Sequence, residues 1–233
     1  MIAHLGLGSN LGDRRATLDR AVGALGRVVA VSRYHETRPV GGPAGQGAFL
    51  NAAAVVETDL GPAELLRHLQ AIERGAGRVR EVRWGERTLD IDMLMYEDLL
   101  IDSPELTLPH PRMAVRRFVL GPLAEVAPGA VDPCTGLTVA ALLANLDRRP
   151  GVVSLEGPDG RTGAVLDAIG SPPAGWSVAL DADRPTFAAS LGPSATRVRR
   201  SRPTLRYPTE PPAAVAADLL AAMLAAHDPS RPD

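Results

Sequence analysis

The chain has 233 residues, 45% of them hydrophobic, and a formal net charge of −2 at pH 7, which gives room for one substantial domain plus an appendage. That charge excludes indiscriminate nucleic-acid binding, which needs a sizeable positive field. No apolar run approaches a membrane span, and a single cysteine, Cys134, excludes an internal disulfide and fits a reducing cytoplasm. All 25 basic residues are arginine, a composition bias to which no function is attached. The first residues, MIAHLGLGSNLGDRR, carry no basic-then-apolar signal pattern, so a cytoplasmic location is expected.

Residues 2–8 alternate and end at Gly8-Ser9-Asn10, which predicts a strand entering a turn. Leu18, Ala21, Val22 and Leu25 recur at helical spacing between Asp13 and Gly26. Val28 to Thr37 is β-rich, and RPVGGPAGQG is a long glycine-proline loop. Phe49 to Thr58 predicts a strand with Phe49, Asn51, Ala53 and Val55 on one face and Leu50, Ala52, Ala54 and Val56 on the other. Asp59 and Pro62 announce a second helix with the stripe Leu65, Leu66, Leu69, Ile72 and Ala76. A last strand follows an arginine-rich loop. The order strand, helix, strand, strand, helix, strand is that of a ferredoxin-like α+β sandwich, mainly antiparallel with helices packed on it. Further helices are expected over Val115–Glu125 and Thr138–Leu146.

The stretch RVREVRWGERTLDID, from Arg78 to Asp92, is the most informative. It sets Arg78, Arg80, Arg83, Arg87 and Trp84 in a glycine-flanked loop before a strand. Asp90 and Asp92 share one face of that strand, while Leu89, Ile91, Met93 and Met95 are expected on the other. Parallel carboxylates repel and call for a cation, and hard oxygen donors suit Mg²⁺. An Asp-x-Asp pair alone is common, and a charge run is usually solvated. Their conjunction points to a polyphosphate site.

Four blocks stand in one order: LGLGSNLGDR, ETRPVG…QGAFLNAAAVVET, RVREVRWGERTLDIDML and LPHPRMAVRRFVLGPLAEVAP. Over residues 2–148 the chain closely resembles 6-hydroxymethyl-7,8-dihydropterin pyrophosphokinase, a folate-biosynthesis enzyme. The resemblance implies transfer of a pyrophosphoryl group from ATP to the pterin hydroxymethyl oxygen, releasing AMP. It implies that Asp90 and Asp92 hold two Mg²⁺ ions, and that Arg78 and Arg87 join them in catalysis. Gln70, Glu73, Arg80, Trp84, His110 and Arg116 are then expected to bind ATP. The resemblance also implies that Trp84 belongs to a loop that closes over the nucleotide, with Gly75, Gly77 and Gly85 expected to give it freedom. Phe49 and Phe118 are expected to sandwich the pterin, with Asn51 at its edge and Thr37 and Val40 contributing mostly backbone contacts. Pro111 departs from relatives that have a tyrosine touching phosphate, and the lid is one residue shorter than in some. A nucleotide-binding regulator on the same scaffold is the alternative. An RNA-binding domain is a third reading, which the charge and the lack of an exposed aromatic strand motif oppose.

The resemblance implies a catalytic domain at 1–150 and leaves 151–233 as an extension of unknown function. There VVSLEGPDGRTGAVLD lacks the Gly-Lys-Ser/Thr of a phosphate loop and reads as a turn between two short strands. Arg197, Arg199, Arg200, Arg202 and Arg206 form a basic cluster, expected to be solvated or paired within the chain. Ala213–His227 predicts a helix with the stripe Val215, Leu219, Met223 and Leu224, available for oligomer or partner contacts. This tail is expected to take no part in catalysis.

Overall fold

The computed structural model describes residues 1–40, 43, 45–77, 85–148, 150–157, 159–180, 182, 185–191, 202–207 and 209–226, residue 159 by its backbone alone. The first elements are β1 (Ile2–Ser9), α1 (Arg14–Ala24), β2 (Arg27–Val31), β3 (His35–Thr37), β4 (Phe49–Glu57), α2 (Pro62–Gly75) and β5 (Asp90–Tyr96), so the β-rich stretch after α1 is divided into two strands and three, not two, lie between the helices. The strands order as β2-β4-β1-β5, every neighbour antiparallel, and β3 also pairs β4. Asp13 starts α1 by accepting from Ala16 N at 3.0 Å, and Pro62 opens α2 where a missing amide hydrogen costs no helical bond.

One face of this sheet packs on α1 and α2 through Leu5, Leu7, Leu18, Leu65, Leu69, Ile91 and Met93. Each fully buried leucine there contributes roughly 1.5–3 kcal/mol by transfer from water. The opposite face carries Ala53, Leu94 and Met95 and packs on later elements. Met95 is a correction, since it does not share the face of Met93. The β1–β5 register shifts between His4 and Leu5, so Leu5 faces Met93 while His4 faces Met95. One extra residue in β5, Leu94, flips the alternation.

A small hairpin, β6 (Ile101–Asp102) with β7 (Thr107–Leu108), precedes a 3₁₀ turn at Met113–Val115. Then come α3 (Arg117–Val126) and α4 (Val139–Leu146), close to the expected spans, with Thr138 capping α4 through Ala141 N at 3.1 Å.

Past residue 150 the chain builds a second sheet: β8 (Gly151–Glu156), β9 (Trp176–Leu180), β10 (Phe187–Leu191) and β11 (Thr204–Tyr207), with α5 (Asp159–Ile169) and α6 (Pro212–Ala226). Its order is β11-β10-β8-β9 and all its pairs are parallel. The expected turn between two short strands is therefore wrong, because β8 runs almost directly into α5. Gly157 makes the exit with φ 152, where a Cβ would lie 2.3 Å from Leu191 O. The two sheets share one core. Val115, Leu120 and Leu142 from the first part pack in the same cluster as Leu155, Phe187, Leu219 and Met223. Of the basic cluster, Arg202 pairs with Glu156 at 2.5 Å and Arg206 with Asp102 at 2.9 Å, while Arg197, Arg199 and Arg200 lie outside the described residues. No helix among the described residues is long and apolar enough to cross a membrane.

Candidate active site

The face of the first sheet turned away from α1 and α2 carries both aspartates of β5. Asp90 stands opposite Gly8 and Asp92 opposite Gly6 in the β1–β5 ladder. Both carboxylates line one pocket. Arg87 ion-pairs with Asp90. His110 Nε2 lies 3.8 Å and Arg116 Nη1 4.0 Å from Asp92 Oδ2. Each aspartate thus has cationic or imidazole nitrogen beside it, which the repulsion between two neighbouring carboxylates demands. Burial pulls the Arg116 guanidinium below the ordinary arginine value, and the Asp92 charge acts against that shift. An arginine remains a cation even so.

Thr37, Val40, Phe49, Asn51 and Phe118 line the same pocket. Asn51 is buried and donates from Nδ2 to Thr37 Oγ1 at 2.8 Å, a bond worth about 0.5–1.5 kcal/mol that fixes which way the amide faces. Gly8 leaves room beside it: a Cβ there would press on Asn51 Oδ1 at 3.2 Å and make an ordinary contact with Phe49 Cδ1 at 3.7 Å. Phe118 comes from the first turn of α3, and the Arg116 guanidinium stands 5.6 Å from its ring centre, within cation–π range.

Two expected residues, Gln70 and Glu73, lie outside this lining. Gln70 is half-buried on α2 outside the pocket lining. Glu73 is buried and accepts from Ile91 N at 2.8 Å, so it anchors the strand that carries both aspartates. Arg78, Arg80, Arg83 and Trp84 lie outside the described residues.

Three residues escaped the sequence reading. Asn10, at the exit of β1, bonds to the backbone of Arg87 and to Gly47 O. Arg112 lines the pocket and pairs with Asp218, which also lines it from α6. The SNLGDR block held the signal for Asn10; nothing local marked the other two. The tail is therefore not apart from the site. Nor is its helix stripe free for a partner: Val215, Leu219 and Met223 are buried within the chain, and of the four only Leu224 is exposed.

Among the described residues no group of three or more His, Cys, Asp or Glu side chains is gathered as a metal cage. Two carboxylates facing an arginine-walled pocket nevertheless fit Mg²⁺, which keeps waters and completes its shell with phosphate oxygens. Asp90 and Asp92 are the donors that would hold it.

The family model for 7,8-dihydro-6-hydroxymethylpterin-pyrophosphokinase (HPPK) matches residues 4–128. The 2-amino-4-hydroxy-6-hydroxymethyldihydropteridine pyrophosphokinase of Bacillus subtilis is 48% identical over 130 residues, which cover 54% of this chain and 77% of that one. That of Methylorubrum extorquens is 48% identical over 150 residues, 62% of this chain and 93% of the relative. That of Pseudomonas aeruginosa is 43% identical over 158 residues, 64% and 96%. A solved structure of HPPK-DHPS in complex with substrates is similar with a TM-score of 0.49 at 12% identity, covering 84% of this chain. This chain spans 58% of that structure's length. With the family model matching more than half of its residues, the chain belongs to the 7,8-dihydro-6-hydroxymethylpterin-pyrophosphokinase family.

Proposed function

We propose that the chain transfers pyrophosphate from ATP to the hydroxymethyl group of 6-hydroxymethyl-7,8-dihydropterin, releasing AMP, in folate biosynthesis. The observation that carries this is the pocket itself. Thr37, Val40, Phe49, Asn51 and Phe118, expected for the pterin, line it together with Arg87, Asp90, Asp92 and Arg116, expected for the triphosphate. Family membership supports the same reaction.

In this reading Phe49 and Phe118 take the flat heterocycle between them, and the Asn51 amide donates and accepts at its edge. The pterin hydroxymethyl oxygen bonds to the β-phosphorus as the bond to the oxygen retained by AMP breaks. Arg87 and Arg116 donate to phosphate oxygens, where a planar fork matches two acceptors. Asp90 and Asp92 would hold Mg²⁺, two ions by the resemblance, which offset phosphate charge when bound. Catalysis of this kind depends on positioning and charge stabilisation, each preorganised contact contributing about 10²–10³ in rate. We assign Arg78 to catalysis, Arg80 and Trp84 to a lid over the nucleotide, His110 to phosphate and Gln70 to the nucleotide side, while Glu73 acts on that side through the strand it anchors. The strand order β2-β4-β1-β5 supports a ferredoxin-like reading of the first sheet. A single cysteine, Cys134, suits the expected cytoplasmic setting. No observation favours the regulatory alternative.

The test is to incubate the full chain with ATP, Mg²⁺ and the pterin alcohol and to separate the nucleotides. AMP formed only when the pterin is present supports the reading. ADP as the product, or AMP at a rate indifferent to pterin, overturns it.

A further inference from the structure

Helix α6 comes from the far end of the chain, yet Asp218, Ala221, Ala222 and Ala225 line the pocket that holds Asp90, Asp92 and Phe118. Its place is set by packing. Val215, Leu219 and Met223 are fully buried in the core they share with Val115 and Leu120. The helix face towards the pocket is made of alanines, which form a wall without filling the space.

Asp218 is the polar exception on that wall. Its side chain is only 8% exposed. Arg112 Nη2 donates to its two oxygens at 2.8 and 2.9 Å, and Tyr207 Oη donates to Oδ2 at 2.5 Å. A buried carboxylate persists only with such a cation and donor. Burial, with the Asp218 charge next, pushes the Tyr207 hydroxyl well above its usual range, so it stays a donor. The relation also runs the other way. Asp218 engages Arg112 through Nη2, which leaves Nη1 and Nε as further donors of a guanidinium that itself lines the pocket. An arginine held in place before its anion arrives loses less freedom on binding it.

We propose that the C-terminal unit completes the substrate pocket, with α6 as its wall and Asp218 as a positioning residue that, with Tyr207, presents Arg112 to the polyphosphate of ATP. The inference rests on the pyrophosphokinase reading of this pocket.

The experiment uses the full-length chain, with kcat and KM for both substrates read by AMP release and Tm read for every variant. Ala221 is half-buried on α6, so Ala221→Leu narrows the pocket at little cost to folding; it raises KM for the pterin about tenfold with Tm held. Asp218→Asn keeps the shape and removes the charge, raising KM for ATP about tenfold and kcat changing less. In an Arg112→Gln background, which has already lost the presented guanidinium, Asp218→Asn has no further effect on kcat/KM. Asp218→Glu, which restores the carboxylate, recovers part of the ATP affinity. Wild-type KM values in both Ala221→Leu and Asp218→Asn overturn the proposal. So does a loss on Asp218→Asn that is equal with and without Arg112, which makes Asp218 merely structural. If Asp218→Asn does not fold, Ala221→Leu and Arg112→Gln decide, and wild-type KM values in those two overturn it. A wild-type chain that releases no AMP overturns the pyrophosphokinase reading and this inference with it; an active wild type with unmoved variants overturns this inference alone.

Discussion

Asn10 and Arg87 exchange two hydrogen bonds: Arg87 N donates to Asn10 Oδ1 at 2.7 Å, and Asn10 N donates to Arg87 O at 3.1 Å. The Asn10 amide also donates to Gly47 O at 3.3 Å. One side chain thus ties the exit of β1 to the loop that delivers Arg87 and to the loop before β4.

Asn10→Ala therefore loosens Arg87 without touching a substrate. It is expected to lower kcat/KM about tenfold and to cost about 1–3 kcal/mol of stability, because buried backbone groups lose partners. Steady-state kinetics and urea unfolding read the two effects. An unchanged kcat/KM would mean that the loop holds Arg87 in place by other means.

Asp90→Ala and Asp92→Ala are expected to lower kcat about 10²–10³-fold or more while the far-UV dichroism stays that of the wild type. The faces of β5 explain why the fold survives: both carboxylates sit on the pocket side, away from Ile91 and Met93. A variant that keeps most of its kcat at saturating Mg²⁺ would remove that aspartate from the reaction.

Phe49→Ala and Phe118→Ala should each weaken pterin binding by about 1–3 kcal/mol, from lost stacking and burial together. Calorimetry with the pterin and with a non-hydrolysable ATP analogue separates the ligands. ATP affinity is expected to change far less, with Phe118 the larger of the two because Arg116 rests on its ring. Equal losses for both ligands would point to collapse of the pocket instead.

Stability has an acid-sensitive component outside the pocket. Glu125, on α3, accepts from Arg33 Nη2 at 2.9 Å and from Arg33 N at 3.0 Å. The Arg33 side-chain hydrogen bond holds its carboxyl below the usual value. A carboxyl lowered on folding stabilises the native state above its unfolded value, and that contribution is lost as pH falls through the folded one. Urea unfolding between neutral pH and about pH 3 should show stability declining with acid, and Glu125→Gln should flatten part of the decline. Parallel curves for the two proteins would rule out this link.

What the sequence made legible follows from how local the signal is. The opposed faces of Phe49–Val56 and the pairing of Asp90 with Asp92 rest on a period of two, which neighbours alone establish. The Leu94 bulge rests on register against β1, which no stretch of β5 encodes by itself, so Met95 landed on the wrong face. The entry to α5 was misread because Gly157, Gly160 and Gly163 are poor helix formers, and tertiary packing overrides that weak preference. Arg112 has no local signal that sets it apart in PHPRMAV. Its partner Asp218 is 106 positions away, and only the shared core of the two sheets brings them together.

The most direct measurement follows the phosphorus atoms. ATP labelled separately at the β and γ positions is turned over with Mg²⁺ and the pterin alcohol, and the label is counted in the pterin product and in AMP. Both labels should appear in the pterin in equal amount, with neither left in AMP. Transfer of the γ label alone would contradict pyrophosphoryl transfer in this pocket.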